Sequence, residues 1–184
     1  MNIFYIIIAL IALVVVAIIG IYNALIRKRN RVEEAWADIE VQLKRRYDLI
    51  PNVVETVKGY AMHERGVLEN VTKARTQALG AQSMEEHARA ENVLASTLKT
   101  LFAVSENYPD LKANANFLDL QRELADTENK IQAARRFYNG NVRDLNTTIE
   151  SFPQNLIANS FRFTKKEFFE LEEEAAREPV PVRF

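Results

Sequence analysis

The 184-residue chain contains no cysteine, which removes disulfides, thiolate metal sites and cysteine nucleophiles from consideration. Histidine occurs only at His63 and His87. Glu-x-x-His, the paired motif of di-iron bundles, is absent, as is His-x-x-x-His zinc spacing. Five glycines and five prolines are few for this length. With so many Ala, Leu, Glu, Lys, Arg and Gln residues, that scarcity favours long helices over sheet. The formal net charge of -1 lacks the basic excess expected of a nucleic-acid binder. No Gly-x-Ser-x-Gly elbow or glycine-rich phosphate loop occurs.

Charge is also missing from one long stretch. From Ile3 to Tyr22 ("IFYIIIALIALVVVAIIGIY") there is no charged residue. At 1.5 Å per residue the run spans roughly 30 Å, the hydrocarbon thickness of a bilayer. A cleaved signal peptide would carry basic residues ahead of a shorter apolar run. Here Arg27, Lys28, Arg29 and Arg31 follow it. The expectation is an uncleaved single-pass anchor over 1–26, with the lipid bilayer contacted by 3–22. The basic cluster places the N-terminus outside and the C-terminal domain in the cytoplasm.

Beyond the anchor, Val32, Trp36, Ile39, Leu43, Tyr47 and Ile50 recur in steps of three and four. Val54, Val57, Ala61, Leu68, Val71, Arg75 and Ala78 extend that amphipathic stripe, with Glu64 and Arg75 as polar interruptions. Gly80 ends it, and Ser83 with Glu86 forms a capping box for the next helix. That helix carries Ala88, Leu94, Leu98, Leu101 and Ser105 until Tyr108-Pro109 stops it. Asn114 or Asn116 caps the longest helix, whose line runs from Phe117 through Leu124, Ile131, Tyr138 and Leu145 to Phe152. A shorter amphipathic piece from about Gln154 into "KKEFFELEEEAAR" is expected to follow. The closing residues 179–184 are expected to be disordered.

The stretch "RRYDLIPN" interrupts this pattern with a proline. Inside one helix, Pro51 removes a hydrogen bond to the Tyr47 carbonyl and kinks the axis. Alternatively Asp48 caps a new helix, with Pro51 in its first turn. The stripe's unbroken phase and the lack of a glycine in "YDLIPNV" favour the kink. On either reading Arg45, Arg46, Tyr47, Asp48, Pro51 and Asn52 are read as structural: Asp48 satisfies backbone donors beside Pro51, and the arginines reach carboxylates on neighbouring helices.

Three other groups are candidates for structural or interaction roles. On the long helix, Thr127, Glu128, Arg135 and Asn139 lie on or beside the apolar seam. A Glu128–Arg135 pair there would fix register more than it would stabilise. His87 and Glu91, one turn apart, read as a solvated pair on a surface helix. In "FRFTKKEFFE", Phe161 and Phe163 alternate with basic residues, which suits packing on the helices, an anionic membrane headgroup zone or a partner groove, although the acidic run 170–174 argues against a strong membrane grip.

The chain resembles the LemA family in "YNALIRKRNRVEEAWADIEVQLKRRYDLIPNVVETVKGYAMHE" (Tyr22 to Glu64), "YPDLKANANFLDLQRELADTENKIQAARRFYNGNV" (Tyr108 to Val142) and Phe152-Pro153. The resemblance covers nearly everything beyond the anchor, and "RRYDLIPN…VKGYA" is its most specific part. It implies an all-α protein: an N-terminal transmembrane helix, then a cytoplasmic antiparallel up-and-down four-helix bundle, here expected over 27–178. It implies no catalytic residues. The expected role is a non-catalytic scaffold or adaptor at the cytoplasmic face of a bacterial inner membrane, with no cofactor, no metal and no nucleic acid. Homo-oligomerisation is expected, with other membrane proteins as further partners. The alternative is a self-assembling protein that shapes or protects the bilayer, which an exposed Trp36–Ile39–Leu43 face would favour.

Overall fold

The computed structural model describes residues 2–170 and is all-helical there. Helix α1 spans Asn2–Lys58, α2 Arg65–Leu79, α3 Met84–Ser105, α4 Pro109–Lys112, α5 Ala115–Glu150 and α6 Gln154–Ser160. The described residues divide into two compact units. The first joins α1 up to Glu40 with Ala133–Phe168; the second joins Val41–Gln132 with Phe169. Helices α1 and α5 therefore each contribute to both.

Helix α1 runs through Pro51 without a turn, so the fold-back reading of "DLIP" does not hold. The helix does not carry on to Ala78, however. It ends at Lys58, and the chain turns over Gly59–Glu64 before α2 begins. The turn is closed by Tyr60 and Ala61 N–H groups donating to the Val57 carbonyl. It is braced by Tyr108 Oη donating to Glu64 (3.0 Å) and Asn114 Nδ2 donating to Tyr60 Oη (2.9 Å). Glycine's low helix propensity explains why the break falls at Gly59, eight residues beyond the proline.

Within the second unit the core follows most of the stripe anticipated from periodicity, but Val53 is buried in place of Val54, and Ala74 beside Arg75. Leu43, Tyr47, Ile50, Val53 and Val57 of α1 are buried, with Leu68, Val71, Ala74 and Ala78 of α2, Leu94, Leu98 and Leu101 of α3, and Phe117, Leu124 and Ile131 of α5. Helix α3 begins with a full capping box: Glu86 N–H donates to Ser83 Oγ, and the Glu86 carboxylate accepts from Ser83 N–H. Asn114 Oδ1 caps α5 by accepting from Phe117 N–H.

In the first unit, α1 buries Leu25, Val32, Ala35 and Ile39, and α5 buries Tyr138, Val142, Leu145 and Ile149. The α5 line stops short of the expected Phe152, which is 78% exposed. Ahead of Leu25, large apolar side chains from Ile3 to Ile19 stand exposed. This is a segment long and apolar enough to cross a membrane. Helix α6 ends in a Schellman motif: Phe163 N–H reaches the Ala158 carbonyl, Arg162 N–H the Asn159 carbonyl, and Arg162 is left-handed (φ 57°). The expected helix through "KKEFFE" does not form; 163–170 is irregular. The rest of that piece and the 179–184 tail lie outside the described residues.

Candidate functional site

Two groups of side chains stand out, one in each unit. In the second unit Arg46, only 4% exposed, projects from α1 into a polar node. Its Nη1 lies 3.1 Å from Glu91 Oε2 of α3 and 3.1 Å from Glu128 Oε2 of α5. Tyr47, the next residue, donates its hydroxyl to the other Glu91 oxygen. Both Glu91 oxygens are thus occupied, which is what a carboxylate 1% exposed requires. Glu128, half-buried, completes the group with a longer contact from Gln132 Nε2 (3.4 Å).

Burial dominates the electrostatics. It raises the Glu91 pKa above the ordinary carboxylate range, against the opposing pull of the Arg46 guanidinium and the Tyr47 hydroxyl. Tyr47 is pushed up as well, first by burial and then by the Glu91 charge. One guanidinium faces two carboxylates, so the node carries one more negative charge than positive if all three groups are ionised.

Pro51 belongs to the same region through the backbone. It has no N–H to donate to the Tyr47 carbonyl one turn earlier. Arg75 of α2 supplies the missing donor: its Nε lies 2.6 Å from that oxygen. A buried acceptor orphaned by the proline is satisfied from a second helix.

The residues singled out in the sequence separate accordingly. Arg46, Tyr47 and Glu128 meet in the node, and Pro51 joins it through Arg75. Arg45 is exposed and reaches Asp126 at only 4.0 Å. Asp48 is exposed and caps no backbone donor, contrary to expectation. Asn52 is exposed and contributes only its carbonyl, to Thr56 Oγ1. Glu128 pairs with Arg46; Arg135 and Asn139 are half-buried further along α5. Glu91 corrects the solvated-pair reading with His87. It lies three residues before Leu94 on the buried line of α3, the one signal that could have identified it.

In the first unit Trp36 is half-buried, stacked edge-on against Tyr138 at 5.6 Å, and its indole N–H donates to Glu40. Phe161 and Phe163 both approach Tyr22, at 4.8 and 5.9 Å between centroids, and the Arg29 guanidinium lies 6.0 Å from the Phe163 ring. Tyr22 is the last residue of the apolar run, so the "FRF" segment docks where that run ends. Among the described residues no cluster of three or more His, Asp or Glu side chains is arranged to hold a metal.

Comparison with known proteins adds four findings. The family model described as "LemA family" matches residues 35–184. Protein LemA of Metamycoplasma hominis is 28% identical over 76% of this chain and 64% of its own length. Magnetosome protein MamQ 2 of Paramagnetospirillum magneticum is 22% identical over 86% of this chain and 68% of its own. Magnetosome protein MamQ of Magnetospirillum gryphiswaldense is 20% identical over 80% of this chain and 64% of its own. The chain therefore spans slightly less than two thirds of the first and third of these relatives and 68% of the second.

Proposed function

The chain belongs to the LemA family, and from that premise we propose that it is a membrane-anchored, non-catalytic scaffold recruiting partner proteins to the cytoplasmic face of a bacterial inner membrane. The observation that carries this reading is the continuity of α1. One uninterrupted helix holds both the exposed apolar run and core residues from Leu25 to Val57. An apolar surface of that length is stable where the surrounding medium is hydrocarbon, so the chain that carries the helical core is tethered there. The basic residues after the run favour an N-terminus outside and a cytoplasmic domain.

The antiparallel up-and-down four-helix bundle is part of the same proposal. Support comes from the second unit, where Arg46 joins α1 to α3 and α5, and Arg75 ties α2 to α1. A non-catalytic role fits the polar node, because its buried groups are occupied by one another. An uncovered Trp36–Ile39–Leu43 stripe would have favoured the self-assembling alternative. Ile39 and Leu43 are buried and Trp36 is half-covered by Tyr138, so the scaffold reading is favoured.

Crosslinking with mass spectrometry in native membranes tests it. The expected result is linkage of exposed lysines such as Lys44 and Lys99 to other proteins. Crosslinks confined to further copies of this chain would replace the scaffold with the self-assembling protein.

A further inference from the structure

Where α1 leaves the apolar run, the first unit contains a groove of about 320 Å³ whose lining includes Tyr22, Arg29, Glu33, Phe161, Arg162 and Lys166. We propose that this groove binds the phosphate headgroup of an anionic phospholipid in the leaflet adjoining the basic end of the anchor. The proposal rests on the membrane-anchor reading above.

Position is the first argument. Tyr22 closes the apolar run, and Arg29 lies seven residues on, about 10 Å further along the helix. The headgroup layer extends roughly 5–8 Å beyond the hydrocarbon, so Arg29 stands at its outer edge and its long side chain reaches back into it. Charge is the second. Arg29 is offset by Glu33 at 3.8 Å, and Lys165 pairs with Glu150. Arg162 and Lys166 have no carboxylate partner among the described residues, and both line the groove. Size is the third, since the groove suits a headgroup and is too small for a macromolecular partner.

The wall is also preorganised. Asn146 fixes the Lys166 backbone twice, accepting from its N–H and donating to its carbonyl at 2.9 Å each. Phe163 N–H is held by the Ala158 carbonyl. Arg162 occupies the left-handed position of a Schellman motif, where glycine is the usual residue, so its side chain is retained at a backbone cost. The α6 region exposes Phe152, Leu156 and Phe161 by 78, 57 and 54%. Large apolar side chains beside Arg162 and Lys166 are the composition of a segment lying at the acyl–headgroup boundary.

The test uses the full chain in micelles containing equal phosphatidylglycerol and phosphatidylcholine, with retained lipid read by native mass spectrometry. The unaltered chain is expected to retain phosphatidylglycerol preferentially. The double variant Arg162→Gly/Lys166→Gln should lose that retention roughly 25-fold, at about 1 kcal/mol per basic residue and 1.4 kcal/mol per tenfold. Arg162→Gly suits the left-handed backbone, and Lys166→Gln alone, expected to lose about fivefold, guards against an effect of the glycine. Equal retention by all three chains would overturn the proposal. Displacement of the lipid by millimolar inorganic phosphate would assign the groove to a free anion and overturn the lipid source. Flotation with phosphatidylcholine vesicles is the separate control: a chain that fails to float overturns the anchor reading itself, whereas one that floats without headgroup preference overturns only the groove.

Discussion

At the scale of single residues, Pro51 and Arg75 form a compensated pair. Replacing Arg75 by Met should leave the Tyr47 carbonyl unpaired and destabilise the detergent-solubilised chain by about 1–2 kcal/mol. Pro51→Ala returns an N–H to that carbonyl and should stabilise by up to about 3 kcal/mol. In the Pro51→Ala background, Arg75→Met should then cost clearly less. A denaturation cycle with no coupling between the two changes would refute the pairing. Glu91 gives a pH dependence whose sign follows from its raised pKa. A carboxyl that binds its proton more tightly when folded contributes stability that is full below the unfolded value of about 4.3. That contribution is lost as pH rises through the folded value. Stability of the native chain minus that of Glu91→Gln should therefore fall as pH rises across that window. A difference that grows with pH would mean that Arg46 outweighs burial.

At the scale of elements, the local signals were the legible ones. Ser83 and Glu86 specify the start of α3 from side chains three positions apart, and the structure contains that box. Ser83→Ala should lower stability by about 1 kcal/mol, measurable by thermal unfolding, because it removes the acceptor for the Glu86 N–H. An unchanged midpoint would show that Glu86 alone sustains the helix start. Asn114 and the α5 stripe were legible for the same reason: a cap and a 3.6-residue period are properties of one segment. What escaped sequence reasoning depends on a second segment. Arg75 looked like a flaw in the stripe because the carbonyl it serves belongs to another helix. Asp48 suggests an acceptor for backbone donors beside Pro51, whereas the group the proline leaves unpaired is an acceptor, the Tyr47 carbonyl, which a donor from α2 serves. Glu91 was assigned to the surface because a lone carboxylate belongs in water, and only Arg46 and Tyr47 from α1 make its burial tolerable. The break at Gly59 was missed because the apolar phase continues across it, although the backbone does not.

At the scale of the whole molecule, orientation rests on Arg27, Lys28, Arg29 and Arg31. A reporter fused after Phe184 is expected to be active in the cytoplasm, and replacing the four residues by neutral ones should yield a mixture of orientations. Protection of the C-terminal domain from cytoplasmic protease, with cleavage from outside, would reverse the assignment. The polar node also has a consequence for how the chain is made. Arg46 emerges from the ribosome soon after the apolar run, but Glu91 follows 45 residues later and Glu128 later still. At 5–20 residues per second, that leaves the guanidinium without its native partners for several seconds. Membrane delivery of the first segment can therefore be complete before the second unit can close, so insertion and domain folding are separable events. Translation arrest before residue 91 should leave an inserted chain whose second unit is still open to protease.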